Sequence, residues 1–334
     1  MIEVTGVTKT FKVARRSAGL GEALKSFVHR QYQEVRALDD ISFTIGDGEM
    51  VGYIGPNGAG KSSTIKILSG ILTPDGGNCL INGRVPWKER VEHVKDIGVV
   101  FGQRSQLWWD VPILDSYELI RDIYRVKETD YRKKLEELTE LLDLSEILKT
   151  PARQLSLGQR MRCEIGASLL HSPKILFLDE PTIGLDAVSK IAVRNFILEL
   201  NRQHGTTVIL TTHDMQDIEA LTQRILLIGK GKILLDGRLD EVKDRFSRVK
   251  QLTVQYTGAV PVMTAGMDIA SGDKPDRDYG LSGQGILHVQ VNTEVLKVSE
   301  AISCLSSQTE ITDISVAGAS LDDVVVGLYK QYEI

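Results

Sequence analysis

The eight residues Gly55-Pro56-Asn57-Gly58-Ala59-Gly60-Lys61-Ser62 constrain this chain more than any other stretch. They fit the pattern G-x-x-x-x-G-K-[ST], follow a short apolar run at 49–54, and open a helix-patterned segment that Gly70 ends. A strand turning through bare glycines into a helix aims backbone N–H groups and the positive end of a dipole at one point. That arrangement suits a phosphate. In it Lys61 reaches β- and γ-phosphates, the Ser62 hydroxyl ligates Mg²⁺, and Ser63 adds a hydrogen bond to the α-phosphate. The competing reading, a chance glycine-rich turn, is disfavoured by the strand–loop–helix context.

A second element fits the first. Four apolar residues, Ile175-Leu176-Phe177-Leu178, end in Asp179-Glu180. Burying such a strand fixes Asp179 at its carboxyl end, where open α/β sheets bind ligands. Asp179 would hold Mg²⁺ through water, and Glu180 would polarise an attacking water as general base. Taken alone, an apolar strand ending in two acids is just a strand leaving the core. Strand-length runs at 174–178 and 206–211 flank a helical pattern at 188–201, and 225–228 with 232–235 read as a hairpin split by Gly229 and Gly231. Strands alternating with helices imply a parallel sheet covered on both faces.

The composition shifts after about Leu239. A charged helix at 239–248 leads to a strand at 252–256, then a Gly/Asp/Ser-rich loop at 258–285. A strand at 287–291, a helix at 295–305, a strand at 311–316 and a last helix from Leu321 complete a small α+β domain over 241–334. Two domains agree with 334 residues. The net charge of −5 gives no support for a nucleic-acid partner, which needs a positive field. No apolar run approaches membrane-spanning length, and residues 1–9 alternate like a strand rather than a signal peptide. Cys79, Cys163 and Cys304 have neither metal-ligand spacing nor a disulfide framework, as expected in a reducing, cytoplasmic setting.

With these two elements in place, Leu155-Ser156-Leu157-Gly158-Gln159 resembles the signature of the ATP-binding-cassette family, which more often reads L-S-G-G-Q. The resemblance covers about residues 1–240, with all motifs in the family order. It implies an α/β fold, the P-loop NTPase cassette: a RecA-like core with antiparallel-β and helical subdomains. It implies ATP and Mg²⁺ as ligands and a head-to-tail dimer with a second copy or a homologous subunit. Ser156, Gly158 and Gln159 would serve the ATP held by the opposite subunit. Further matches are Gln103, which would ligate Mg²⁺ and sense a transmembrane partner, and His213, which would contact the γ-phosphate. Asp186, in Gly184-Leu185-Asp186, belongs to a loop expected to cross the dimer interface, and Phe11 would stack on adenine. Each residue also has a plain reading: Ser156 and Asp186 as helix caps, His213 as a surface residue, Phe11 as core.

The pattern looks most like the exporter branch, whose cassette subunit pairs with separate membrane permeases, and the ending Leu321-Asp322-Asp323-Val324-Val325 supports it. Such a subunit would sit on the cytoplasmic face of the membrane through its permease. Two departures stand out. Residues 12–36 form a basic insertion, six Lys/Arg against two Glu, in which Leu20, Leu24, Phe27, Gln31 and Tyr32 suggest one helix face. That face would contact a membrane or permease, or pack on its own domain. Trp108 and Trp109 adjoin, and one of them is expected in the core, with either a candidate docking anchor. Relatives acting on DNA or the ribosome are opposed by the single cassette, the missing coiled coil and the acidic charge. An importer subunit would carry an all-β extension in place of the helices expected at 295–305 and beyond Leu321.

Overall fold

The computed structural model describes residues 1–14, 32–102, 104–246, 249–269, 284–318 and 321–332. The chain divides into two compact units, Met1–Gly237 and Arg238–Glu333.

The first unit contains two sheets. Strands β1 (Ile2–Ala14), β2 (Tyr32–Ile45) and β4 (Gly76–Ile81) form an antiparallel sheet in the order β2-β1-β4. Six strands form the other, in the order β5-β6-β7-β3-β8-β9: β3 (Met50–Ile54), β5 (Ile97–Phe101), β6 (Ile175–Asp179), β7 (Thr207–Thr211), β8 (Arg224–Gly229) and β9 (Lys232–Arg238). Strands β5, β6, β7, β3 and β8 pair in parallel. Their carboxyl ends therefore share one edge. β7 is buried at every residue and β6 at every residue but its last, Asp179; this is why they read as unbroken apolar or β-branched runs rather than alternations. Lys230 and Gly231, at φ 47° and 79°, make the tight turn between β8 and β9, a conformation suited to a hairpin.

Helices α1 (Lys61–Leu68), α2 (Arg90–Val94), α3 (Ile113–Tyr124), α4 (Glu128–Leu141), α5 (Leu157–Leu169), α6 (Ala187–His204) and α7 (Met215–Leu221) complete this unit. Its core joins both sheets to α1 through Ile2, Ile45, Tyr53, Ile65, Phe177 and Ile228. Within the helical region the buried Tyr117 hydroxyl of α3 donates 2.8 Å to the Cys163 carbonyl of α5.

The second unit is α8 (Leu239–Phe246), β10 (Val249–Thr257), β11 (Met267–Ile269), β12 (Gln284–Asn292), α9 (Val298–Ser306), β13 (Glu310–Gly318) and α10 (Leu321–Gln331). Its antiparallel sheet runs β11-β12-β10-β13. Leu252, Val254, Leu287, Val289 and Val291 alternate onto one face, where Ala301 and Leu305 of α9 meet them. Leu305 is fully buried, so Leu305→Ala should cost about 3 kcal/mol. Thermal unfolding of the full chain would register it, and a variant as stable as the wild type would contradict this packing.

Three local expectations change. β1 and β2 extend into the stretch read as an insertion, pairing as far as Ala14 with Tyr32. Tyr32 is thus an exposed strand residue, not part of a helix face; Leu20, Leu24, Phe27 and Gln31 lie outside the described residues, as do residues 319 and 320. Short β11 interrupts the expected long loop, because Met267–Ile269 finds β12 as a partner. Both tryptophans are exposed, Trp108 by 58% and Trp109 by 51%, so neither is core. The apolar requirement there is met by Leu107, which is buried.

Candidate nucleotide site

β3 ends at Ile54 and the chain turns through Gly55 to Gly60 into α1. Gly58 and Gly60 sit at φ 81° and 118°. A Cβ at Gly60 would lie 2.6 Å from the Ala37 carbonyl oxygen, while one at Gly58 would meet nothing within 4 Å. Gly60 caps α1 without any side-chain hydrogen bond, leaving first-turn N–H groups for an anion. Lys61 Nζ folds back onto the loop, donating to the carbonyls of Gly55 at 2.6 Å and Pro56 at 3.1 Å. Burial pushes its pKa down, opposed by the nearby carboxylates Glu180 and then Asp179.

Two hollows share Asn57, Ser62 and Glu180. The smaller, about 180 Å³, is bounded by Ala37, Gly58, Gly60, Lys61 and Ser63 as well; the larger, about 660 Å³, by Phe101, Arg104, Asp179 and His213 among others. They lie where β3, β5, β6 and β7 end. Asp179 Oδ1 accepts the Thr211 hydroxyl at 2.5 Å, tying the end of β6 to that of β7. Glu180 N donates to the Thr211 carbonyl at 2.8 Å, and Glu180 Oε1 is 3.5 Å from His213 Nδ1. Glu180 has φ 56°, left-handed for a non-glycine residue and worth about 1–3 kcal/mol of strain. Such strain persists only where neighbours hold it. Another hollow of about 650 Å³ lies at the amino ends of the strands, by Lys174, Thr206 and Thr207, and none of the phosphate-loop, signature or strand-end motifs above borders it.

Ser156, Gly158, Gln159 and Asp186 border neither shared hollow; they cluster elsewhere on the unit. Ser156 caps α5 reciprocally with Gln159: the Gln159 N–H donates to Ser156 Oγ at 3.2 Å and Ser156 N donates to Gln159 Oε1 at 2.9 Å. Asp186 caps α6 by accepting Ser189 N and Ser189 Oγ at 2.9 and 2.8 Å, which lowers its pKa. The two segments touch. A Cβ on buried Gly158 would fall 2.3 Å from Ser189 Oγ, and one on Gly184 would fall 2.9 Å from Leu157 Cδ2. Phe11 lies on β1 opposite Val35, with Lys9 Nζ 5.7 Å from its ring centre, and borders neither hollow. Gln103 lies outside the described residues.

Sequence reasoning missed Thr211, which hydrogen-bonds Asp179 and Glu180, and Ala37 and Arg104, which border the hollows. Thr211 read only as part of a β-branched run, and Ala37 borders the site through its backbone, which carries no sequence signal.

The family model described as ABC transporter matches residues 38–183. The ATP-binding protein YhcH of Bacillus subtilis, an uncharacterized ABC transporter protein, is 34% identical over 219 residues, covering 64% of this chain and 70% of that one. The daunorubicin resistance ATP-binding protein DrrA3 of Streptomyces coeruleorubidus is 30% identical over 305 residues, 90% of this chain and 93% of its own. Among solved structures, the dimeric post-hydrolysis ATP-binding cassette MJ0796 bound to ADP and Pi superposes with a TM-score of 0.60 at 26% identity. It covers 72% of this chain and 99% of that one. With the phosphate loop, the acidic end of β6 and His213 already gathered at one sheet edge, these likenesses establish the chain as a member of the ATP-binding-cassette transporter family, an ATP-binding, ATP-hydrolysing subunit.

Proposed function

We propose that this subunit drives export through separate membrane permease subunits, working head-to-tail with a second copy or a homologous cassette on the cytoplasmic face. The observation that carries the dimer is a separation. Lys61, Ser62, Asp179, Glu180 and His213 each border one or both of the two hollows that Ser62 and Glu180 join, whereas Ser156 and Gly158 of the same unit border neither. A signature that meets a γ-phosphate must then meet another subunit's. The exporter reading draws support from the likeness to the daunorubicin resistance protein, which extends over 90% of this chain and so beyond the cassette. The second unit is read as a dimerisation or regulatory piece.

Mg²⁺ fits the donor set. Exposed Ser62 and the carboxylate of Asp179 border one hollow, and Mg²⁺ is usually held by one or two such oxygens plus phosphates and waters. When bound, it supplies positive charge to the phosphate oxygens. Lys61 adds its ammonium, Glu180 takes the proton of the attacking water, and His213 holds the γ-phosphate side of the cavity. Phe11 offers a π face to adenine and Asp186 carries the loop toward the second subunit; Gln103 keeps the metal-ligand role that the family resemblance implies.

Purified protein should hydrolyse ATP with Mg²⁺ and fall to background when EDTA removes it. Turnover that survives EDTA would overturn the assignment of Ser62 and Asp179 as metal ligands.

A further inference from the structure

Asp217 of α7 has no exposed surface and no part in the chemistry proposed above. One of its oxygens, Oδ2, accepts the Thr182 hydroxyl and, at 3.4 Å, the Thr212 hydroxyl. The other, Oδ1, accepts Arg194 Nε of α6 at 2.5 Å. Thr182 stands two residues after Glu180, and Thr212 immediately precedes His213. One buried carboxylate thus grips the two loops that carry Glu180, proposed to activate the attacking water, and His213, proposed to contact the γ-phosphate.

The surrounding groups extend this grip. Thr212 Oγ1 also accepts Asp214 N at 3.0 Å, Asp214 caps α7 through Gln216 N at 3.0 Å, and Lys190 Nζ meets Asp214 Oδ2 at 2.5 Å. Lys190 and Arg194 stand on α6, the helix that Asp186 caps. Glu180 meanwhile holds a left-handed backbone that nothing in its own residue type favours. A bare ion pair with Arg194 would need neither threonine.

We infer that Asp217 is a positioning residue for hydrolysis: through Thr182 and Thr212 it fixes Glu180 and His213 in register with each other, and through Arg194 it links that register to the helix following the Asp186 loop. The inference rests on the roles proposed for Glu180 and His213. Phosphate binding by the 55–63 loop does not depend on it, so loss of the grip should lower kcat while leaving KM for ATP nearly unchanged.

Thr182→Val removes one hydroxyl and leaves the Asp217–Arg194 pair intact. It should lower kcat about 10- to 100-fold, since a misplacement near 1 Å can cost about 100-fold, with KM within about twofold. Thr182→Ser should restore most of the rate. Asp217→Asn should lower kcat at least as far, and adding Thr182→Val to it should cost little more, since both break one link. Thermal unfolding of each variant, with Glu180→Gln measured beside them, separates the alternatives. If Thr182→Val melts lower yet turns over within about twofold of wild type, Asp217 is merely structural and the inference falls. If Glu180→Gln itself keeps full turnover, the reading beneath it falls instead. Should Asp217→Asn fail to fold, the comparison of Val with Ser at position 182 still decides.

Discussion

Glu180→Gln should bind ATP as the wild type does and lose hydrolysis by a factor of about 10² to 10⁴, the span of general-base catalysis. The amide matches the carboxylate in size and keeps an oxygen to face His213 Nδ1, now 3.5 Å away, but it cannot take a proton from water. The backbone hydrogen bond from Glu180 N to the Thr211 carbonyl is untouched, so the left-handed turn should survive. Lys61 would lose one of the two carboxylates that raise its pKa and keep Asp179, so its pKa should move further down while the loop contacts stay. If hydrolysis is what reopens the two-subunit assembly, the variant should also accumulate as a dimer with ATP and Mg²⁺. Single-turnover assays and size-exclusion chromatography would read both effects. Unchanged turnover would remove Glu180 from its assigned role.

Much of this site is legible in the amino-acid sequence, because its chemistry rests on backbone geometry that few sequences satisfy. The loop at 55–62 demands a strand before it and a helix after it, and α1 spans Lys61–Leu68 as expected. The buried run before Asp179 needs no periodicity to be seen. The long β1–β2 hairpin is hidden for the opposite reason. Beyond Lys9 and its buried partner Leu38, the residues at 10–13 and 32–37 are only partly buried or exposed, so neither face carries an apolar alternation and the strands read as an insertion. The tryptophans mislead because a large apolar side chain is read as core by default, whereas here Trp109 lies under the guanidinium of Arg160, 5.5 Å from its ring centre. Asp217 gives no signal in the sequence at all. A buried carboxylate is recognised by its partners, and those stand at 182, 194 and 212, on other elements. Ser156 and Asp186 each cap a helix, a role legible from residue type and position alone.

Gly60→Ala should all but abolish ATP binding, while Gly58→Ala two residues earlier should be tolerated. Both glycines hold positive φ, 118° and 81°, so each alanine carries backbone strain. At Gly58 that is the whole effect: its Cβ would point into open space, and a strain of about 1 kcal/mol corresponds to about a fivefold loss of affinity if the loop relaxes to relieve it. Gly60 is more constrained. Its φ lies outside the small left-handed region open to alanine, and its Cβ would stand 2.6 Å from the Ala37 carbonyl oxygen and 2.8 Å from Leu38 Cδ2. The first neighbour is backbone of β2, held between Arg36 and Leu38, which both pair with β1, so it cannot swing aside as a flexible side chain would. The loop must move instead, and with it the N–H groups ahead of α1 and the ammonium of Lys61, the next residue. Losing several charge-assisted hydrogen bonds of about 1.5–3 kcal/mol each puts the fall in affinity above about 100-fold. Titration with a fluorescent ATP analogue, with circular dichroism to verify the fold, would compare the two variants. Equal losses would mean that backbone strain alone governs the loop and that its approach to β2 carries no part of nucleotide binding.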